Sequence, residues 1–238
     1  MDTLATLKSW ADESSRIVFF GGAGVSTESG IPDFRSVDGL YQQKFDYPPE
    51  TILSHSFFVR NPAYFYSFYR EKMLPLDAQP NPAHETLARW EREGRLLAVV
   101  TQNIDGLHQK AGSRKVYELH GSVHRNFCTK CRKFFGPEYI RDHTPLPLCD
   151  ACGALIKPDV VLYEESLDDA CVTGAVGAIA AADLMIVGGT SLTVYPAAGL
   201  LRYYRGHRLV LINRDETPCD GEADLVLRDP IGQVLARL

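Results

Sequence analysis

Four of the six cysteines form two knuckles, Cys128-x2-Cys131 and Cys149-x2-Cys152, separated by a spacer of the length found in zinc ribbons. Each knuckle brings two thiolates to one side of a tight turn. Four thiolates at about 2.3 Å complete a tetrahedral shell around Zn2+ and leave no position for water or substrate, which is the chemistry of one structural ion per chain. Two disulfides or redox pairs are the competing reading, and a reducing compartment disfavours them. Cys171 and Cys219 stand alone and read as small buried apolar residues.

A second set of chemically capable residues follows short apolar runs. Residues 17–20 lead into Gly21-Gly22-Ala23-Gly24, and residues 96–100 into Thr101-Gln102-Asn103-Ile104-Asp105. Residues 116–119 lead into His120-Gly121, 184–187 into Gly188-Gly189-Thr190-Ser191, and 209–212 into Asn213-Arg214. Several of these runs are apolar throughout and do not alternate, the pattern of strands buried on both faces. Helical patterns lie between them: Leu4, Leu7 and Trp10 at the start, then 62–73, 83–93, 167–182 and 196–204. Strands alternating with helices predict an α/β fold with a Rossmann-like, doubly wound parallel sheet. Ligands of such sheets bind beyond the carboxyl ends of the strands, so glycines, hydroxyls, amides, a carboxylate and a histidine converge on one site. Singly, each has a bland explanation, because Gly and Asn terminate strands anyway.

The elements that position this set span most of the chain. Residues 1–38, 75–121 and 159–238 are expected to form the large domain; a helical module, 39–74, and the zinc ribbon, 122–158, are expected to form a smaller one, with a cleft between. The aromatic stripe from Tyr64 to Tyr69 reads as helix core. With 45% hydrophobic and 23% charged residues in 238, the composition is globular. A formal net charge of -5 disfavours a general nucleic-acid binder, whose affinity comes from cations neutralising phosphates. The amino terminus carries Lys8, Asp12 and Glu13 and lacks a signal-peptide core, and no apolar run is long enough for a membrane span. A cytoplasmic location without membrane contact is the expectation.

Gly22-Ala23-Gly24 after a strand and before Ser26, expected to open a helix, is similar to a dinucleotide loop, where backbone N–H groups approach a pyrophosphate. Thr27 replaces the third glycine, and no acidic residue follows a second strand at the usual distance. Spacing alone leaves dinucleotide binding and an ordinary strand-to-helix turn both open.

The block from Gly22 to Arg35 (GAGVSTESGIPDFR), Thr101 to His108 (TQNIDGLH), His120-Gly121-Ser122, the paired knuckles, Gly189-Thr190-Ser191 and Ile212-Asn213-Arg214 together resemble the motif set of the sirtuins of bacterial-like type. Sirtuins are NAD-dependent protein lysine deacylases, and the motifs occur in order over nearly the whole chain. The resemblance implies NAD as co-substrate lying across the cleft, and acetylated proteins or peptides as partners. The implied reaction transfers the acetyl group of lysine to the ribose, releasing nicotinamide and O-acetyl-ADP-ribose. It places Ala23, Ile31, Asp33 and Phe34 around the nicotinamide, and Arg35 and Gln102 on phosphate and ribose. Asn103 and Asp105 position ribose and carboxamide, and Asn213 holds the adenosine ribose. Gly22, Gly24, Gly189, Thr190, Ser191 and Arg214 complete the cofactor set.

Asn103 and His120 are the implied catalytic residues, with His120 as general base toward a ribose hydroxyl because its pKa lies near working pH. His108 reads as structural, packing the helix after Gly106. Residues 158–165 stand where sirtuins carry the substrate-binding strand, so Val160, Val161 and Tyr163 are expected to line the acyl-lysine tunnel, with the peptide adding as a β-strand. Glu164 departs from the family pattern, in which many members have Gly. Members that accept acidic acyl chains resemble one another in a Tyr-x-x-Arg pair on the helix equivalent to 62–73. Here Tyr66 is followed at that spacing by Tyr69, and Arg70 sits about 100° further round. Acetyl is therefore expected to be preferred to succinyl. Two rivals remain: a protein ADP-ribosyltransferase using the same NAD site, and a nucleic-acid-binding zinc ribbon motivated by Arg125, Lys130, Arg132 and Lys133.

Overall fold

A computed structural model of the protein describes residues 2–34 and 39–238. Helix α1 (Thr3–Glu13) precedes strand β1 (Ile17–Gly21), which is followed by two 3-10 turns, Ala23–Val25 and Thr27–Ser29. Helices α2 (Pro49–Ile52), α3 (His55–Arg60), α4 (Pro62–Lys72) and α5 (Pro82–Arg92) lead to β2 (Leu96–Thr101). Then come α6 (Leu107–Lys110), β3 (Val116–Glu118), β4 (Gly121–Cys128), β5 (Phe134–Phe135), α7 (Pro137–Asp142) and β6 (Ile156–Val160). The chain ends with α8 (Asp169–Ala181), β7 (Leu184–Gly188), a 3-10 segment (Ala197–Tyr203), β8 (Leu209–Ile212), β9 (Leu225–Leu227) and α9 (Ile231–Leu235).

Six strands form a parallel sheet in the order β3-β2-β1-β7-β8-β9. The order reverses between β1 and β7, which makes that seam the topological switch point where a crevice opens at the strand ends. Residues of β1 alternate between two cores. Ile17 and Phe19 pack with α1, α5 and α9 through Leu7, Leu87, Trp90 and Leu235. Val18 and Phe20 pack on the other face with Ala175 and Ile179 of α8. Burial on both faces is what the apolar strand runs require.

A separate antiparallel sheet, β5-β4-β6, carries the cysteine knuckles. Its buried Val123, Cys128 and Ile156 share one cluster with Phe58, Phe65, Tyr66 and Tyr69 of the helices before α5. The aromatic stripe is core, as its spacing suggests. None of the helices among the described residues is long and apolar enough to cross a membrane.

The structure corrects three expectations. No α-helix opens at Ser26: the loop turns through the two 3-10 segments and reverses at Gly30, whose φ is 82°. Residues 197–203 are 3-10 instead of α-helical. Cys171 and Cys219 are half-buried, not buried.

Candidate active site

A cavity of about 350 Å3 opens at the switch point. The ends of β1, β2, β7 and β8 and the turn between β3 and β4 supply its large-sheet wall: Gly22, Ala23 and Gly24; Gln102, Asn103 and Asp105; Gly189, Thr190 and Ser191; Asn213; and His120. Ile31, Asp33 and Phe34 also line it, with Phe34 packed on the aromatic cluster of the helices before α5, and so do Val160, Val161 and Tyr163, with Val161 N donating to His120 O at 3.0 Å. Among the described residues one member of the expected set is not on it: Arg214 is exposed and absent from the lining, where Asp215 and Glu216 stand instead; Arg35 lies outside the described residues. Leu40, Tyr41, Lys72, Met73, Val194 and Tyr195 also line the cavity; their scattered positions gave no sequence signal.

The glycine pattern has a packing cause of its own. Gly24 N donates to Gly189 O at 2.8 Å, and Gly22 N to Gly188 O at 3.2 Å. A Cβ on Gly24 would stand 2.7 Å from the Cα of Gly189, and Gly189 itself has φ 59°. The loop after β1 therefore lies backbone to backbone on the loop after β7, which side chains at either position would prevent.

Polar groups around the loop form a closed network. Ser26 Oγ donates to Asp105 Oδ2 at 2.7 Å and accepts from Asn103 Nδ2 at 3.0 Å. Asp105 Oδ1 accepts from Leu107 N at 2.9 Å, and Asp105 O meets His124 Nε2 at 3.0 Å. Gln102 Nε2 donates to Thr190 Oγ1 at 2.9 Å, joining the ends of β2 and β7. Asn103 and Asp105 are both buried, so these bonds fix their side chains in a medium where an unpaired polar group is expensive. Ser26 is a site residue that the motif reading left without a role.

His120 is anchored through Nδ1, 3.0 Å from Gln102 O. A carbonyl only accepts, so Nδ1 carries the proton and Nε2 keeps its lone pair for the cavity. Burial lowers the imidazole pKa below its ordinary value, opposed by that same hydrogen bond, so the neutral form capable of accepting a proton dominates at neutral pH. Two further histidines, His84 and His108, are buried behind Asp105 with ring centroids 4.7 Å apart. Burial lowers both, His84 to about 4.

Across the cavity, Tyr163 N donates to Leu53 O and His55 N to Tyr163 O, each at 3.0 Å, tying the segment after β6 to the start of α3. The hydroxyls of Tyr41 and Tyr163 meet at 2.8 Å. Glu164 adopts φ 77°, a conformation that costs an L-residue about 1 kcal/mol. Its carboxylate accepts from Ser56 N at 2.9 Å and Ser56 Oγ at 3.0 Å, capping α3 from outside the helix. Glu165 bridges His55 and Lys157 at 2.7 and 3.0 Å. Arg70 points away from the cavity: it donates to the carbonyls of Ile140, His143 and Pro145, and its guanidinium lies 5.3 Å from the Tyr66 ring centroid. Tyr66 is fully buried and donates to Ile156 O.

The four knuckle cysteines converge, with their Sγ atoms all within 4.8 Å of one another. Cys128 and Cys152 are 3.4 Å apart, Cys131 and Cys149 3.6 Å. Tetrahedral Zn–S bonds of about 2.3 Å require S···S edges of about 3.8 Å, so the donor set fits the ion. The amides of Lys130 and Cys131 both point at Cys128 Sγ at 3.4 Å, as suits a thiolate.

Comparisons with known proteins agree with this geometry. The model of the Sir2 family matches residues 22–196, and the chain belongs to that family. It is 60% identical to an NAD-dependent protein deacetylase of Clostridium acetobutylicum, over 99% of this chain and 97% of the relative, and 55% identical to one of Clostridium perfringens, over 100% and 98%. Among solved structures, a Sir2–p53 peptide–NAD+ complex is similar with TM-score 0.87 and 41% identity, over 98% of this chain and 96% of that one. Sir2Tm bound to a propionylated peptide is similar with TM-score 0.87 and 40% identity, over 100% and 97%.

Proposed function

We propose that the protein is an NAD-dependent protein lysine deacetylase, taking acetylated proteins or peptides and releasing nicotinamide and O-acetyl-ADP-ribose. The observation that carries this reading is His120, held by Nδ1 so that Nε2 faces a cavity also lined by Asn103 and Asp105. NAD, when bound, supplies an electrophilic ribose carbon for the amide oxygen of the acyl-lysine. The lining suits it: Gly22, Gly24 and Gly189, whose amides are taken by backbone carbonyls, carry no side chain to keep a phosphate away, the hydroxyls of Thr190 and Ser191 can donate, and Gln102 stands toward phosphate and ribose and Asn213 toward the adenosine ribose. For Arg35, outside the described residues, the phosphate and ribose role rests on the family resemblance alone. Ala23, Ile31, Asp33 and Phe34 surround the nicotinamide. Asn103 and Asp105, pre-oriented by Ser26, position ribose and carboxamide and place negative charge near the reacting centre. His120 Nε2 accepts a proton from a ribose hydroxyl.

Val160, Val161 and Tyr163 form the acyl-lysine wall, and Cys128, Cys131, Cys149 and Cys152 hold one structural Zn2+. In this reading residues 39–74 and 122–158 make the smaller domain, residues 1–38, 75–121 and 159–238 the larger, and the protein works in the cytoplasm. The test is incubation with an acetyl-lysine peptide, with and without NAD, followed by mass spectrometry. Loss of the acetyl mass only with NAD supports deacetylation; a gain of ADP-ribose mass on protein identifies a transferase.

A further inference from the structure

Behind the cavity wall, one buried amide side chain joins α5 to the glycine loop. Asn81 is 5% exposed and absent from the cavity lining. Its Nδ2 donates to Val25 O at 2.8 Å and to Ser29 Oγ at 3.0 Å. Its Oδ1 accepts from Ala83 N at 2.9 Å, capping α5, and its backbone N donates to His84 Nδ1 at 3.2 Å. Every polar atom of this side chain is used, half of them on its own helix and half on a segment more than fifty residues earlier. A buried residue needs only one acceptor to cap a helix. The two bonds from Nδ2 do something else.

Val25 and Ser29 flank Ser26, whose hydroxyl holds Asp105 and Asn103. Ser26 O accepts from Ser29 N at 3.0 Å and Ile31 N at 3.2 Å, so displacing Ser29 displaces Ser26. The loop is built of short 3-10 turns with no long helix to stiffen it. We infer that Asn81 is a positioning residue for the cofactor: by gripping Val25 and Ser29 from behind, it holds the glycine loop in its NAD-receiving shape and aims Ser26 at Asp105 and Asn103. The inference rests on the NAD reading given above. His84 supports it, because an imidazole that accepts at Nδ1 must be neutral with its proton on Nε2, and burial keeps it so.

Two substitutions separate brace from cap. Asn81→Ser and Asn81→Asp each retain an acceptor for the cap, and neither carries the amide donor. Ser29→Ala removes one partner and leaves α5 untouched, so it decides the matter should the Asn81 variants not fold. Calorimetry gives NAD affinity directly, and steady-state kinetics give KM for NAD and for an acetyl-lysine peptide. Both Asn81 variants are expected to weaken NAD about tenfold and Ser29→Ala about threefold, with the peptide KM within about twofold of the parent value. Unchanged NAD affinity in folded variants, or NAD and peptide affinities falling in parallel, would overturn the brace. If the unsubstituted protein binds no NAD at all, the functional reading falls and the brace with it; if it binds NAD and the variants bind equally well, only the brace falls.

Discussion

The two walls of the cavity are held in place by different physics. On the large-sheet wall, strands buried on both faces deliver polar residues whose partners are one another: Ser26, Asn103, Asp105, Gln102 and Thr190 are linked by bonds of 2.7–3.0 Å. On the opposite wall, an aromatic cluster around Phe65, Tyr66 and Tyr69 packs against a small sheet whose turns are closed by four cysteines. That wall meets the segment after β6 through partly exposed pairs such as His55–Glu165 and Ser56–Glu164. The first wall is preorganised by the same core that makes the fold. The second depends on an ion and on surface contacts that are individually weak.

Removing zinc should break the comparison most severely. Chelation is expected to unfold the small sheet and abolish activity while the six-stranded sheet persists, since folding of a ribbon is coupled to its metal. Circular dichroism and limited proteolysis after chelation check it; a fully active, structurally unaltered zinc-free protein would contradict it. His120→Ala attacks the other wall without unfolding it. Turnover should fall by about 10²–10⁴ while NAD still binds, and an unaltered turnover number would remove His120 from the mechanism. Acyl preference tests how the second wall is lined. With Arg70 spent on three backbone carbonyls, a succinyl carboxylate lacks that cation, and kcat/KM on a succinyl peptide should be about 10²-fold below that on its acetyl twin. Equal efficiencies would mean that another cation, such as Lys72 on the cavity wall, serves it.

Acidification should loosen the large-sheet wall. His84, His108 and His120 all have folded pKa values lowered by burial, so between about 6.5 and about 4 the unfolded chain binds more protons than the folded one. Their contribution is present above pH 6.5 and is lost as pH falls through that window. A shallower fall in melting temperature from pH 7 to pH 5 in His84→Gln than in the parent identifies His84 as one source; identical slopes exclude it. The smallest effect belongs to Glu164. Ala there keeps the strained φ and loses the two bonds to Ser56, whereas Gly removes the strain, so Glu164→Gly should be about 1 kcal/mol more stable than Glu164→Ala by denaturant unfolding.

Much of this was legible in the chain. The strands at 17–20, 96–100, 184–187 and 209–212 announce themselves because burial on both faces demands unbroken apolar residues. The cysteine knuckles do so because a tetrahedral ion fixes their spacing. Strands β9, β4 and β5 carry no such signal: β9 is three residues long, β5 two, and β4 carries Ser122, His124, Arg125 and Asn126, which no periodicity marks as strand; β6 falls at Ile156–Val160, where the resemblance puts a strand at 158–165. The helix expected at Ser26 failed for a related reason. Asn81 and Asp105, distant in sequence, satisfy loop groups by side-chain bonds and hold the chain in short 3-10 turns.

Local chemistry thus determined the strands, the metal ligands and the polar residues at strand ends, because each is dictated by neighbours within a few positions. Tertiary structure alone decided what those residues do to one another. It set Gly24 against Gly189, turned His120 Nε2 to the cavity by giving Nδ1 to Gln102 O, and spent Arg70 on the ribbon's carbonyls. It also placed Asn81 behind the loop. Hydrogen bonds between residues far apart in the chain depend on where the folded core brings their elements together, and no local pattern of residues records that.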